Sequence, residues 1–275
     1  MEQPALASVI VPVCNASSNL LVRSLSSVDA QTYGPVEIVL CTDDGIDRHA
    51  LQGRHPNLRI ESTRQVGSGP AAARNLGLQK AAGEYVCFLE VGDVFAPDKL
   101  KTLIPMAYMA GVAFDNSVCF DDQQPGCIER LSSRSQSGRC DLAFCKAIHK
   151  PVWPVFKRRI IEDLQFDEDL RWAWGRLFHL QAFHESGGIM FHGDPLHCSR
   201  GPDPVPGDGF ARSIIAERDY QIIFDKIAKN NLRFSSAIQP IFAAEYAINS
   251  RYKSFFNHAS LALDVLGVIR ELATR

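Results

Sequence analysis

An α/β fold built on a mostly parallel sheet flanked by helices, with a helical C-terminal extension, is predicted by two features of this chain. Over roughly the first 120 residues, short runs of Val, Ile and Leu alternate with longer stretches whose apolar residues recur at helical spacing. After a segment dense in proline and glycine, GPDPVPGDG (201–209), the chain from 211 to 275 reads as almost wholly helical. Strands alternating with helices imply right-handed crossovers between parallel strands, and such sheets bind ligands beyond the carboxyl ends of their strands.

Each element has its own signal. SVIVPV (8–13) is a β-branched run and so a first strand. SSNLLVRSLSSVDAQ (17–31) follows with Leu20, Leu21, Leu25 and Val28 on one helical face. VEIVLCTD (36–43) and LRIEST (58–63) are the second and third strands, separated by a short helical stretch around 46–52. PAAARNLGLQKAA (70–82) opens with proline at a helix start and stops at Gly83. EYVCFLE (84–90) is a fourth strand, a helix runs from about Pro97 to Met109, and VAFDNSVCF (112–120) is a fifth strand. Residues 121–150 are polar and read as a loop excursion, a helix is expected at about 173–186 before Gly187-Gly188, and IMFHGDPLHCSR (189–200) is a further strand. The boundaries that follow are 1–205 for the α/β domain, with halves of about 1–120 and 121–205, and 206–275 for the extension.

Composition narrows the function classes. With 275 residues, 46% hydrophobic and 22% charged, the chain can bury a sizeable core. A formal net charge of −2 provides no basic excess to neutralise phosphates, so nucleic acid is not the expected partner. No apolar run approaches the roughly 18 residues of a membrane span. The N-terminal MEQPALASVIVPVC lacks the basic start of a signal peptide and reads as the first strand instead. The eight cysteines form no CxxC pair, and those in apolar runs behave as small hydrophobes, consistent with a reducing cytoplasm.

The chemistry concentrates at the predicted strand ends. Asp43, Asp44 and Gly45 close the second strand, where an acidic side chain can accept from a base N–H or a ribose hydroxyl, or form an Asx turn or helix cap. GSGPAAARN (67–75) joins a glycine-rich loop to a helix start, where backbone N–H groups can approach a phosphate and Arg74 can add charge. Glu90 and Asp93 at the end of the fourth strand could together hold a divalent cation, Mn²⁺ or Mg²⁺, that bridges a diphosphate. His179 and His184 are five residues apart, which puts them on different faces of a helix. Trp153, Trp172 and Trp174 fall in the second half, as core or as a platform for a sugar ring.

Taken in order, SVIVPVCN, SLSSVDAQTYGPVEIVLCTDDG and GPAAARNLGLQKAAGEYVCFLEVGDVFAPDKL resemble the inverting family 2 glycosyltransferases of GT-A fold, over about residues 7–104. VFKRRIIEDLQFDEDLRW is similar to the segment that precedes that family's catalytic base. The resemblance implies a nucleotide-sugar donor bound across the first half, a hydroxyl acceptor in the second, and a role in surface polysaccharide synthesis. By that likeness Pro12, Val13 and Asn15 line the nucleoside pocket, Asp43 faces the base with Asp44 beside it, and Arg74 with Asn75 approaches the nucleotide. His192 or His197 would add to the metal site.

Two departures accompany the likeness. The family's Asp-x-Asp-Asp run is Glu90-Val91-Gly92-Asp93 here, so a glycine stands where a metal carboxylate is expected. The family's Glu-Asp base pair falls on Trp174-Gly175, neither of which accepts a proton. Asp167, Glu168 and Asp169 are the nearest replacements, with Asp121, Asp122 and Glu185 also in range. Two readings therefore stay open: an active glycosyltransferase, or a catalytically impaired relative that binds nucleotide sugars or serves assembly. The broad apolar surface of the tail leaves homodimerisation or docking on the inner membrane face as further expectations.

Overall fold

The computed structural model describes residues 3–120, 128–148, 152–200 and 208–262. In chain order the elements are β1 (Ala7–Val13), α1 (Ser18–Asp29), β2 (Val36–Thr42), β3 (Leu58–Ser62), α2 (Pro70–Lys80), β4 (Tyr85–Phe88), β5 (Val94–Phe95), α3 (Lys99–Ala110), β6 (Val112–Asp115) and β7 (Val118–Phe120). They continue as β8 (Ile128–Arg130), β9 (Gly138–Cys140), α4 (Leu142–Ala147), β10 (Val155–Lys157), α5 (Arg158–Ile161), α6 (Trp174–Glu185), β11 (Ile189–His192), β12 (His197–Arg200), α7 (Asp208–Ala228) and α8 (Ser235–Ala262). Two compact units divide the chain: Met1–Glu168 with Gly175–Pro202, and Asp169–Trp174 with Asp203–Arg275.

In the first unit an eight-stranded sheet has the order β3-β2-β1-β4-β10-β6-β11-β9. Strands β3, β2, β1 and β4 are all parallel, whereas β10 runs antiparallel between β4 and β6. All seven residues of β1 are buried, as a central strand covered on both faces requires. On one side α1 buries Leu21, Leu25 and Val28. The small residues of α2 let it come close to the sheet: a Cβ on Gly77 would lie 2.3 Å from Cγ2 of Ile10, so only glycine fits there.

A second sheet, β5-β12-β7-β8, has four strands. It divides two stretches that the sequence presents as single strands. Residues 112–120 form β6 in the large sheet and β7 in the small one, and 189–200 divide likewise into β11 and β12. The break in the first falls at Asn116, whose side-chain amide donates to the carbonyls of Ser132, Arg134 and Gly193 and so satisfies a corner that no strand ladder could. The polar excursion of 121–150 also contains regular structure among its described residues, namely β8, β9 and α4. β9 is three residues long and pairs antiparallel with β11 through Arg139 and Met190, too short for any alternation to reveal. The helical stretch expected near 46–52 is a single 3₁₀ turn, His49–Leu51.

In the second unit α7 and α8 are joined by a bend in which Asn230 and Phe234 have positive φ. Asp219 of α7 is buried and accepts from the backbone N–H groups of Arg171, Trp172 and Ala173. The linker residues 201–207, Asp121, Asp122, and the side chains of Tyr252, Phe255 and Phe256 lie outside the described part.

His179 on α6 is partly buried among the rings of Phe156, Phe178 and Phe183. Burial, followed by the charges of Arg176 and Arg74, pushes its imidazole down to about 3. A depressed histidine is neutral in the fold and protonates first in the unfolded chain. The stability it contributes is therefore complete above about 6.5 and is lost as pH falls from there toward 3, by up to about 1.4 kcal/mol per pH unit. Urea midpoints at pH 7 and pH 4.5 should converge in His179→Leu relative to the parent chain; equal pH slopes for the two proteins would contradict this.

Candidate active site

The carboxyl ends of β1, β2 and β4 lie side by side, as the parallel registers of β1 with its two neighbours require. Asp43, just past β2, is the hub of this edge. Its buried carboxylate accepts from Ser68 N at 2.8 Å, Gly69 N at 2.7 Å and Thr63 Oγ1 at 2.8 Å, with Cys14 Sγ at 3.8 Å. Its backbone joins in, the N–H donating to Val13 O and the carbonyl accepting from Gly67 N. One aspartate thus ties the end of β1 and the residues after β3 to the glycine-rich loop that opens α2. Pro70 is the first residue of that helix and Gly69 its N-cap, so no side chain shields the first-turn amides, the arrangement that accepts anions.

Asp44 is held differently. Arg48 donates to both of its oxygens at 2.6 Å, and the N–H groups of Asn15 and Ile46 donate at 3.2 and 3.1 Å. The Arg48 hydrogen bond holds its carboxyl below the usual range. Asn15 itself is exposed with a φ of 54°, a left-handed conformation that asparagine tolerates. Pro12 and Val13 are buried within β1, so they offer the site their backbone rather than their side chains.

Arg74 and Asn75, adjacent on α2, reach two parts of the site. Arg74 is buried, forms an ion pair with Glu90 at the end of β4, and lies over the ring of Phe166. The side chain of Asn75 grips the segment after α5: Nδ2 donates to Phe166 O at 2.9 Å and Glu168 Oε1 at 2.8 Å, and Oδ1 accepts from Phe166 N at 2.8 Å. Glu168 is thereby pinned to the helix that carries Arg74. Asp167 is half-buried, and Asp169 falls in the other unit, where Lys226 donates to it at 2.7 Å and holds its carboxyl low. The three acids adjacent in sequence therefore have different partners.

The turn 90–93 does not present a metal site. Glu90 is taken by Arg74, and Gly92 has no side chain. Asp93 is buried, accepting from Arg200 N at 2.8 Å and meeting His197 Nε2 at 2.8 Å. Burial raises the Asp93 carboxyl to about 7 and pushes His197 well down, so the pair carries at most the one carboxylate charge at neutral pH. His197 is itself stacked on Trp153 at 5.0 Å and faces no solvent. His192 instead meets Ser137 Oγ and Asp194 near the sheet edge. Among the described residues no three His, Cys, Asp or Glu side chains are grouped to hold an ion. Of the tryptophans, Trp153 stacks on His197 and Trp172 packs on Tyr220.

Behind the turn lies a wholly buried ion pair. Lys99 Nζ donates to Asp115 Oδ1 at 2.6 Å and to Trp153 O at 3.3 Å. Asp115 also accepts from Leu196 N and His197 N, which joins the end of β6 to the start of β12. Arg23 on α1 donates to Gly92 O at 2.6 Å, and the stem of Arg200 crosses the same glycine. None of Lys99, Asp115, Arg23, Arg200 or Asp219 stands out in the sequence. Arg23 lies within a helical pattern and Arg200 ends an apolar run before the linker, so neither spacing nor composition marks them.

Comparisons with known proteins identify the family and the fold. Residues 8–183 match the model of "Glycosyl transferase family 2". Among curated relatives, UDP-Glc:alpha-D-GlcNAc-diphosphoundecaprenol beta-1,3-glucosyltransferase WfgD of Escherichia coli is 32% identical over 112 residues, which are 40% of this chain and 44% of that protein. Succinoglycan biosynthesis protein ExoO of Rhizobium meliloti is 31% identical over 195 residues, 62% of this chain and 55% of its own. The chain thus spans less than two thirds of the length of these relatives. The crystal structure of S. aureus TarS 1–349 in complex with UDP-GlcNAc is similar in fold, with a TM-score of 0.67 at 19% identity over 94% of this chain and 76% of that one. Fold, strand-end constellation and family match coincide, and the chain belongs to glycosyl transferase family 2.

Proposed function

We propose that this protein transfers a sugar from a nucleotide-sugar donor to a hydroxyl acceptor, with inversion, in the synthesis of a surface polysaccharide. The observation that carries the reading is the Asp43 hub, which presents the glycine-rich loop and the open first turn of α2 to the same edge as Arg74 and Glu168. The nucleoside lies along Pro12–Asn15, Asp43 and Asp44, and the diphosphate faces α2 and the 90–93 turn. Glu168 takes the proton of the acceptor hydroxyl as its oxygen bonds to the anomeric carbon. The carbon–oxygen bond to the diphosphate breaks on the opposite face, and the bonding pair leaves with the nucleoside diphosphate.

The names of relatives support the donor class: one curated relative is named for UDP-Glc and TarS is complexed with UDP-GlcNAc. ExoO is named for succinoglycan biosynthesis. The compartment consistent with such a donor is the cytoplasm. No helix among the described residues is long and apolar enough to cross a membrane. A second reading, a binding or assembly module without transfer, is favoured by one observation, Trp174-Gly175 at the position of the family's base pair. Calorimetric titration with UDP-, GDP- and dTDP-sugars should show one class binding in the micromolar to millimolar range, accompanied by slow donor hydrolysis. Binding without hydrolysis or transfer to any acceptor supports a binding module, and no binding at all contradicts the glycosyltransferase reading and leaves only an assembly role.

A further inference from the structure

Family 2 glycosyltransferases commonly neutralise the departing diphosphate with a divalent cation held by carboxylates, and here the residues of the 90–93 turn do not fit one. What surrounds the turn instead is positive charge. Arg74 meets Glu90, Arg23 donates to the carbonyl of Gly92 at 2.6 Å, and the Arg200 side chain passes Gly92 so closely that a Cβ there would lie 3.3 Å from Arg200 Cδ. The backbone N–H of Arg200 is fixed to Asp93, which anchors the root of that side chain at the turn. Two guanidinium groups, those of Arg74 and Arg23, therefore meet a turn that the stem of Arg200 crosses, and the four residues of the turn carry two carboxylates, one of them buried behind it against His197. Gly92 has a φ of 100°, so its side-chain position is both empty and hard to fill.

We propose that Arg200, together with Arg23, takes the place of the divalent cation, binding the donor's diphosphate directly and making donor binding metal-independent. The inference rests on the nucleotide-sugar reading given above. Guanidinium groups suit this role because their planar donors match phosphate oxygens in pairs and they keep their charge at every working pH. As the anomeric carbon–oxygen bond breaks, the electron pair moves onto the β-phosphate oxygen, and the fixed cations stabilise that charge without a proton transfer.

The test is calorimetric titration of the full chain with UMP and UDP, and with GMP and GDP, in EDTA and again in millimolar MnCl₂. The expected result is that the diphosphate of the preferred base binds with affinities within about threefold in the two buffers. Arg200→Met should weaken diphosphate binding by about 10–100-fold while leaving the monophosphate almost unchanged. The Arg200 N–H to Asp93 hydrogen bond is a backbone contact and survives that substitution. Arg23→Met, with Arg200→Lys as a conservative partial rescue, gives a second route should Arg200→Met fold poorly. A diphosphate that binds tenfold or more tighter with Mn²⁺, or an unchanged ratio of UDP to UMP affinity in both arginine variants, overturns the proposal while leaving the nucleotide-sugar reading in place. Absence of binding by every nucleotide in both buffers overturns the reading together with the proposal.

Discussion

Glu168→Gln is expected to lower kcat by about 10²–10⁴-fold, with the donor's KM within a few-fold of the parent chain. The size follows from removing a general base, and the assignment follows from position. Asn75 fixes Glu168 through its own side chain and through both backbone groups of Phe166, so the carboxylate is held on the helix that also carries Arg74. Glutamine keeps the oxygen that accepts from Asn75 and removes only the ability to take a proton, which separates chemistry from folding. Asp169→Asn should leave kcat within about threefold, because that side chain is engaged by Lys226 in the other unit, and loss of one exposed ion pair alters little. Steady-state rates of nucleoside diphosphate release in the three variants Glu168→Gln, Asp167→Asn and Asp169→Asn decide the matter. A full-rate Glu168→Gln beside an inactive Asp167→Asn would move the base one residue toward the N-terminus.

Lys99→Met should destabilise the first unit by about 3–5 kcal/mol, because it strips the partner from a carboxylate that is wholly buried. The ammonium of Lys99 is also placed over the ring of Phe95, and no solvent reaches either member of the pair to compensate. The double variant Lys99→Met/Asp115→Asn should recover part of that loss, since an asparagine oxygen can still accept from Leu196 N and His197 N without an uncompensated charge. Chemical denaturation of the two variants measures the difference. A double variant as unstable as the single one would show that the unpaired charge of Asp115 is not the source of the loss. Because Asp93 bonds to His197, slack at this joint would also loosen the 90–93 turn.

Much of the fold of the first 120 residues was legible because its signals are local. The β-branched run of β1, the proline that opens α2 and the acidic residues past β2 each declare themselves within a few positions, and their order carries the rest. The second half was less legible because its structure depends on partners distant in sequence. Residues 112–120 look like one strand, yet Asn116 turns the chain by bonding to carbonyls up to 77 residues away. β10 has only three residues and enters the large sheet antiparallel between β4 and β6, a placement no local pattern could announce. Asp43, expected to face the base, holds the glycine-rich loop through two backbone N–H groups. The acids 167–169, equivalent by spacing, are separated by Asn75 on one side and Lys226 on the other. Arg23 and Arg200 carry no local mark for the same reason, since they converge on one glycine from different elements.

That glycine makes the present arrangement difficult to reverse. Gly92 sits in a left-handed conformation, and an aspartate substituted there would bring backbone strain as well as a Cβ pressed against the stem of Arg200. Regaining a carboxylate at this position would require the turn to change its path and Arg200 to withdraw in concert. Each change made alone would strain the turn, so a carboxylate at this position and the present path of Arg200 are mutually exclusive states of the same four residues.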